Sequence, residues 1–160
     1  MSVTANVNLL VNVDETFNVD ALSNQVLTHS GFNLTGLAID SSTTPPVTKV
    51  SAQDYALVAG TKTIDLTALL GVNDISQDCT GLKLQLLLFI NAAGNADMVI
   101  SGEGANGYSL GAARTINGGS IACRDIMYVP EALGDVGASA KNLVVTGTGT
   151  QAFQLLLLLG

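Results

Sequence analysis

The sequence predicts an all-β fold, an antiparallel β-sandwich of jelly-roll-like type with about ten short strands and little helix. Three observations carry this expectation. Two runs are apolar without interruption, Leu86-Leu87-Leu88-Phe89-Ile90 and Leu155-Leu156-Leu157-Leu158-Leu159. Seventeen glycines are spread along the chain and, with Pro and Asn, fall where turns between short strands are needed. No stretch carries the amphipathic 3.6-residue period that a βαβ arrangement requires.

Taken in order, Val3, Ala5, Val7 and Leu9 alternate with Thr4, Asn6 and Asn8, the pattern of a half-buried strand. Residues 16–28 (TFNVDALSNQVLT) are the one competitor for a helix, and Phe17, Val19 and Ala21 fit a strand equally well. A second strand covers 32–39. It ends in the loop 40–46, where Pro45 and Pro46 lack the amide hydrogens that a ladder uses. Strands follow at 47–50, 55–58 and 63–67, and 68–81 reads as an excursion rich in turn formers. The central strand, 82–90, turns through 91–95 into 97–100. Beyond the glycine-rich segment 102–107 come Tyr108, strands at 121–123 and 125–129, a stop at Pro130 and a loop over 131–140. The last strands lie near 141–147 and 151–159. One β-sandwich domain, 1–160, accounts for the whole chain, and 1–46 could form an N-terminal strand pair or arm.

A strand that is apolar on both sides must be covered on both sides, by a second sheet or by another copy of the chain. Composition points the same way. Hydrophobic residues make up 48% and charged residues 12%, about half the usual ~25%. Thirteen acidic residues outnumber six basic ones, giving a net charge of −7. The basic residues are Lys49, Lys62, Lys83, Arg114, Arg124 and Lys141, too dispersed to track phosphates, so direct nucleic-acid binding is not expected. No apolar run approaches the ~18–20 residues of a membrane span, and the first ten residues lack a basic n-region. Synthesis in the cytosol without a membrane anchor is the expectation.

Candidate chemistry is sparse. His29 is the single histidine, no G-x-S-x-G elbow occurs, and a turn or surface position is expected for it. The carboxylates Asp14-Glu15, Asp74 with Asp78, and Glu131 with Asp135 read as solvated loop groups. Cys79 and Cys123 have no metal-ligand spacing and read as two separate, partly buried thiols. The G-x-G in 102–107 (GEGANG) has no helix after it, and a phosphate cradle needs one. No enzyme activity, cofactor or metal is therefore expected. Among seven aromatics and no Trp, Tyr108 is the best candidate for an exposed ring, although a packed tyrosine with one hydrogen bond is the plainer reading.

From residue 61 onward the chain resembles the small β-sandwich virion proteins of tailed bacteriophages. The stretches that carry the likeness are 61–69 (TKTIDLTAL), 80–85 (TGLKLQ), 104–110 (GANGYSL), 135–147 (DVGASAKNLVVTG) and the loop 42–49 (STTPPVTK). The resemblance implies a capsid cement or decoration protein, made in the host cytoplasm and placed on the capsid surface of the virion. Its partners would be the major capsid protein and further copies of itself, as a homo-oligomer of trimer type. Expected contact residues are Tyr108, Tyr128, Pro45 and Pro46, with Leu155, Leu157 and Leu159 in the core or in a subunit seam. Alternatives are a tail, baseplate or fibre subunit, or a carbohydrate-binding β-sandwich module. The leucine-rich runs 86–90 and 155–159 depart from the likeness, leaving open whether they pack within one domain or across subunits.

Overall fold

A computed structural model describes residues 4–19, 22–40, 42–44, 46–71, 74–102, 104–129 and 132–160, with 4–38 described by backbone course and pairing. Its strands are β1 (Thr4–Val19), β2 (Leu22–Asp40), β3 (Lys49–Ala56), β4 (Thr61–Asp65), β5 (Leu69–Leu70), β6 (Ser76–Gln77), β7 (Leu84–Asn91), β8 (Met98–Ser101), β9 (Arg114–Ile116), β10 (Cys123–Tyr128), β11 (Asn142–Thr146) and β12 (Ala152–Leu159). The one helical element among the described residues is a 3₁₀ turn, Leu66–Ala68, capped by the Asp65 carboxylate accepting from the Thr67 amide.

Two four-stranded antiparallel sheets form the body, ordered β10-β7-β12-β3 and β4-β11-β8-β9. Their pairing is nested: β3 with β12, β4 with β11, β7 with β10, β8 with β9. That is one long hairpin, four strands out and four back. It is rolled up so that β12 also meets β7 and β11 also meets β8. The wiring is that of an eight-stranded jelly roll, whose facing sheets enclose the core.

The leucine ribbon resolves by strand geometry. Side chains alternate along β12, so Phe153, Leu155, Leu157 and Leu159 enter the space between the sheets, each at most 1% exposed. They meet Leu87, Phe89, Met98, Ile100, Leu143 and Val145. Phe153 stacks on Phe89 with ring centroids 4.8 Å apart and touches Tyr55 at 5.6 Å. Leu156 and Leu158 face the other way. On β7 the alternation slips once: Leu158 lies opposite Leu86 and Leu159 opposite Leu84, so Gln85 is an extra, bulged residue. Its amide donates to the Gly160 carbonyl at 3.2 Å. Asn91, also buried, donates to the carbonyls of Ala96, Ile116 and Asn117 and accepts from Asn95, tying β7 to the start of β8 and the end of β9.

The open sides of the sandwich are sealed by side chains. Arg114 on β9 grips Asp125 on β10 through two bonds of 2.5 and 2.6 Å, joining the edges of the two sheets. Lys62 on β4 lies over the Tyr55 ring of β3, 5.5 Å from its centroid, on the opposite side. The β5–β6 hairpin covers the β3 edge: Gln53 donates to the Gly71 carbonyl at 2.7 Å and Gln77 to the Val50 carbonyl at 2.6 Å.

Strands β1 and β2 form a separate two-stranded ribbon. β2 has 19 residues against 16 in β1, and three register shifts, at Val7/Leu9, Val11/Val13 and Phe17/Val19, absorb the difference. Each places an extra residue on β2 and adds right-handed twist. Asp14 and Glu15, expected in a loop, instead lie in β1 opposite Thr28 and Leu27. The separate strands expected at 47–50 and 55–58 are one strand, β3, because β12 pairs with all eight of its residues. Likewise 121–123 and 125–129 merge into β10 along β7.

Candidate functional site

Among the described residues the chemistry-bearing side chains do not converge. Backbone pairing sets His29 in β2 opposite Val13, so it belongs to a strand and not to a turn. Asp78 accepts from the amide and hydroxyl of its neighbour Thr80 at 2.8 and 2.6 Å, a local turn. Asp74 receives the Gln53 amide at 3.4 Å, and Asp135 is exposed. Glu131 lies outside the described residues. Among the described residues no three His, Cys, Asp or Glu side chains are grouped to hold a metal. Cys79 and Cys123 are unpaired thiols; burial raises the Cys79 pKa to about 11.

The glycine-rich segment serves chain packing. A Cβ on Gly102 would lie 1.7 Å from the Tyr108 carbonyl oxygen, so only glycine permits this approach. Beyond it Tyr108 turns inward. It is 1% exposed, the packed tyrosine of the plainer reading and not a contact residue on the surface. Its hydroxyl accepts from the Leu84 amide at 3.0 Å and donates to the Gly134 carbonyl at 2.7 Å. A ring so held offers no face to a partner. Leu155, Leu157 and Leu159 belong to the core, and Pro45 lies outside the described residues. Pro46 is half-buried, with its carbonyl oxygen 2.2 Å from where a Cβ on Gly160 would stand.

Tyr128 leads to the surface feature that stands out. It belongs to the outer face of the β10-β7-β12-β3 sheet, turned away from the core. Across that face the side chains stand in rows. The first is Tyr128, Leu86, Leu158 and Val50; the second Ile126, Leu88, Leu156 and Ala52; the third Arg124, Ile90, Gln154 and Asp54. Only the first row is closed over. Ile39 from the base of the ribbon and Val47 sit on it, 1% and 0% exposed, and make a second apolar cluster with Leu86 and Leu158.

The second and third rows are open. Ile126 is 51% exposed, and Leu88, Ile90 and Leu156 are half-buried. An open groove of about 340 Å³ runs along Ala52, Leu88, Ile90 and Leu156. A second, of about 530 Å³, continues it past Ile90, Ala92, Ala122 and Ala152. The charged residues on this face, Arg124 on β10 and Asp54 on β3, stand at its two edges. Burying one such aliphatic side chain is worth about 1.5–3 kcal/mol, so a partner gains most in the middle. Sequence reasoning found the two-sided apolar runs that make this face but not its row structure, which depends on the Gln85 bulge.

The turn that roots the ribbon is tightly built. The Asp40 carboxylate accepts from the Ser42 amide and hydroxyl, both at 2.7 Å, and the Asp40 carbonyl accepts from the Val47 amide at 2.7 Å. Bonding from Ser42 holds the Asp40 pKa below its ordinary value. The turn thereby fixes where β2 leaves the sandwich. Comparison of the chain with protein-family models, with curated proteins and with solved structures returned no match.

Proposed function

We propose that this chain is a structural protein of a virus particle, a cement or decoration protein that binds the head shell as a homo-oligomer of trimer type. The observation that carries the reading is a jelly-roll body whose larger sheet keeps an apolar outer face beside a two-stranded ribbon. Such a face is built to be covered, and the chain has few charges to desolvate when it is covered. The jelly roll also occurs in capsid and lectin domains, an analogy of fold alone. Shallow contacts repeated over many copies would bridge neighbouring shell subunits, with repetition supplying effective concentration. Catalysis has no part in this reading.

The carbohydrate-binding alternative loses its ring platform, because Tyr108 is enclosed. The tail-subunit alternative keeps the same surfaces and differs in number. Peptide mass spectrometry of particles purified from cells that make the chain, scaled to the major shell protein, separates the two. Hundreds of copies per particle are expected for a head role. Around a dozen would move the chain to the tail, and none would end the virion reading.

A further inference from the structure

We propose that the open outer face of the β10-β7-β12-β3 sheet is covered by the β1–β2 ribbon of a second copy of this chain. The inference rests on the homo-oligomer half of the function proposed above and names the surfaces that make it. Two features of one chain, each incomplete alone, carry it.

The ribbon is the first. Its strands hydrogen-bond to each other and join neither four-stranded sheet. A lone two-stranded hairpin is at best marginally stable in water. Sixteen residues of β1 reach roughly 50 Å at about 3.3 Å per residue. The eight residues of β12 span only about 26 Å by the same measure. Rooted on the first row of the outer face through Ile39, the ribbon overshoots its own sandwich whichever way it runs. About half of its length therefore has no surface of its own chain to lie on.

The face is the second. The two open rows, about 13 Å along four strands about 4.8 Å apart, present roughly 250 Å². A copy that donates one ribbon and receives one buries about twice that, the low end of specific interfaces. Charge sets how this occupant lies. The sequence from 4 to 40 holds Asp14, Glu15, Asp20 and Asp40 and no Lys or Arg, so the ribbon favours the edge of the face with exposed Arg124 over the edge with exposed Asp54. Docking occurs face-on, as a third layer. The β3 edge is already covered by β5–β6, so strand addition there is not open to the ribbon.

The test uses the full chain carrying the photo-reactive analogue p-benzoylphenylalanine at Phe17. Nitrogen-15-labelled and unlabelled protein are unfolded and refolded together, irradiated and digested. Cross-links are expected between the ribbon and peptides of β7 or β12 from a differently labelled chain. Ile126→Glu, at a half-exposed site outside the core, should remove those cross-links and reduce the assembly to the 16.3 kDa chain. Its unfolding midpoint should stay within a few degrees of the parent. Cross-links confined to one label, cross-links to other surfaces, or an unchanged assembly mass in Ile126→Glu would each overturn the proposal. Because purified chain suffices, this result and the particle copy number fail independently.

Discussion

Replacing Tyr108 by Phe removes one oxygen and leaves the ring, so the loss can be worked from two bonds. The hydroxyl accepts from the Leu84 amide and donates to the Gly134 carbonyl. Gly134 is exposed and its carbonyl can turn to water. The Leu84 amide is buried and cannot. Leaving a buried donor unmet costs about 1–3 kcal/mol. In a domain of this size each kcal/mol lowers Tm by about 2–4 °C. A drop of about 4–8 °C is therefore expected for the central value of about 2 kcal/mol. Urea unfolding of both proteins, followed by far-ultraviolet circular dichroism, reads the same difference as a shift in midpoint at constant slope. Substitution of an exposed surface tyrosine stays within about 0.5 kcal/mol. A Tyr108→Phe protein as stable as its parent would refute the placement of this ring in the core.

Leu157→Ala should cost about 2–5 kcal/mol by opening a cavity between the sheets. Leu156→Ala, on the half-buried outer face, should cost clearly less, and equal losses in urea melts would contradict the assignment of faces along β12. Gly102→Ala should yield insoluble or strongly destabilised protein, since no flexible group can yield to its Cβ, whereas Gly137→Ala, in open space, should remain soluble; expression and thermal melts decide. Acid should unfold the protein. The Arg114 guanidinium holds the Asp125 pKa down; burial pushes Asp65 up, but bonds from Lys141 and Thr67 outweigh it and the net is downward. Folded pKa values below the ordinary 3.8 mean this stability is whole above that pH and is lost as pH falls through the lowered values. Asp125→Asn should flatten the acid limb of a stability–pH curve, and stability that rises toward low pH would contradict the sign.

The sandwich was legible because its strongest signals are local. Unbroken apolar runs at 86–90 and 155–159 point to strands covered on both sides; the facing sheet covers one side, and Ile39 and Val47 cover only the first row of the other. Pairing was not legible. β3 is continuous only because β12 runs beside its whole length, a fact of residues about a hundred positions apart. The ribbon was harder still. One of the three bulges on β2 lies between Leu22 and Gln25, and the change from β1 to β2 also falls within 16–28, so those residues show no clean period of either kind. Tyr108 misled for a related reason. A tyrosine after Gly-rich sequence reads as a loop residue, yet Gly102 is there to let the backbone pass close and carry the ring inward. Nothing in sequence marks Asn91 as the hub of four hydrogen bonds, for its partners are carbonyls and an amide brought together by the turn at 92–97 and the end of β9.

Sedimentation equilibrium of the full chain tests most directly whether the outer face of the β10-β7-β12-β3 sheet is an assembly surface. At micromolar concentration the mass should be an integral multiple of 16.3 kDa, three-fold for the trimer proposed. A single 16.3 kDa species that persists as the concentration is raised a hundredfold would contradict it.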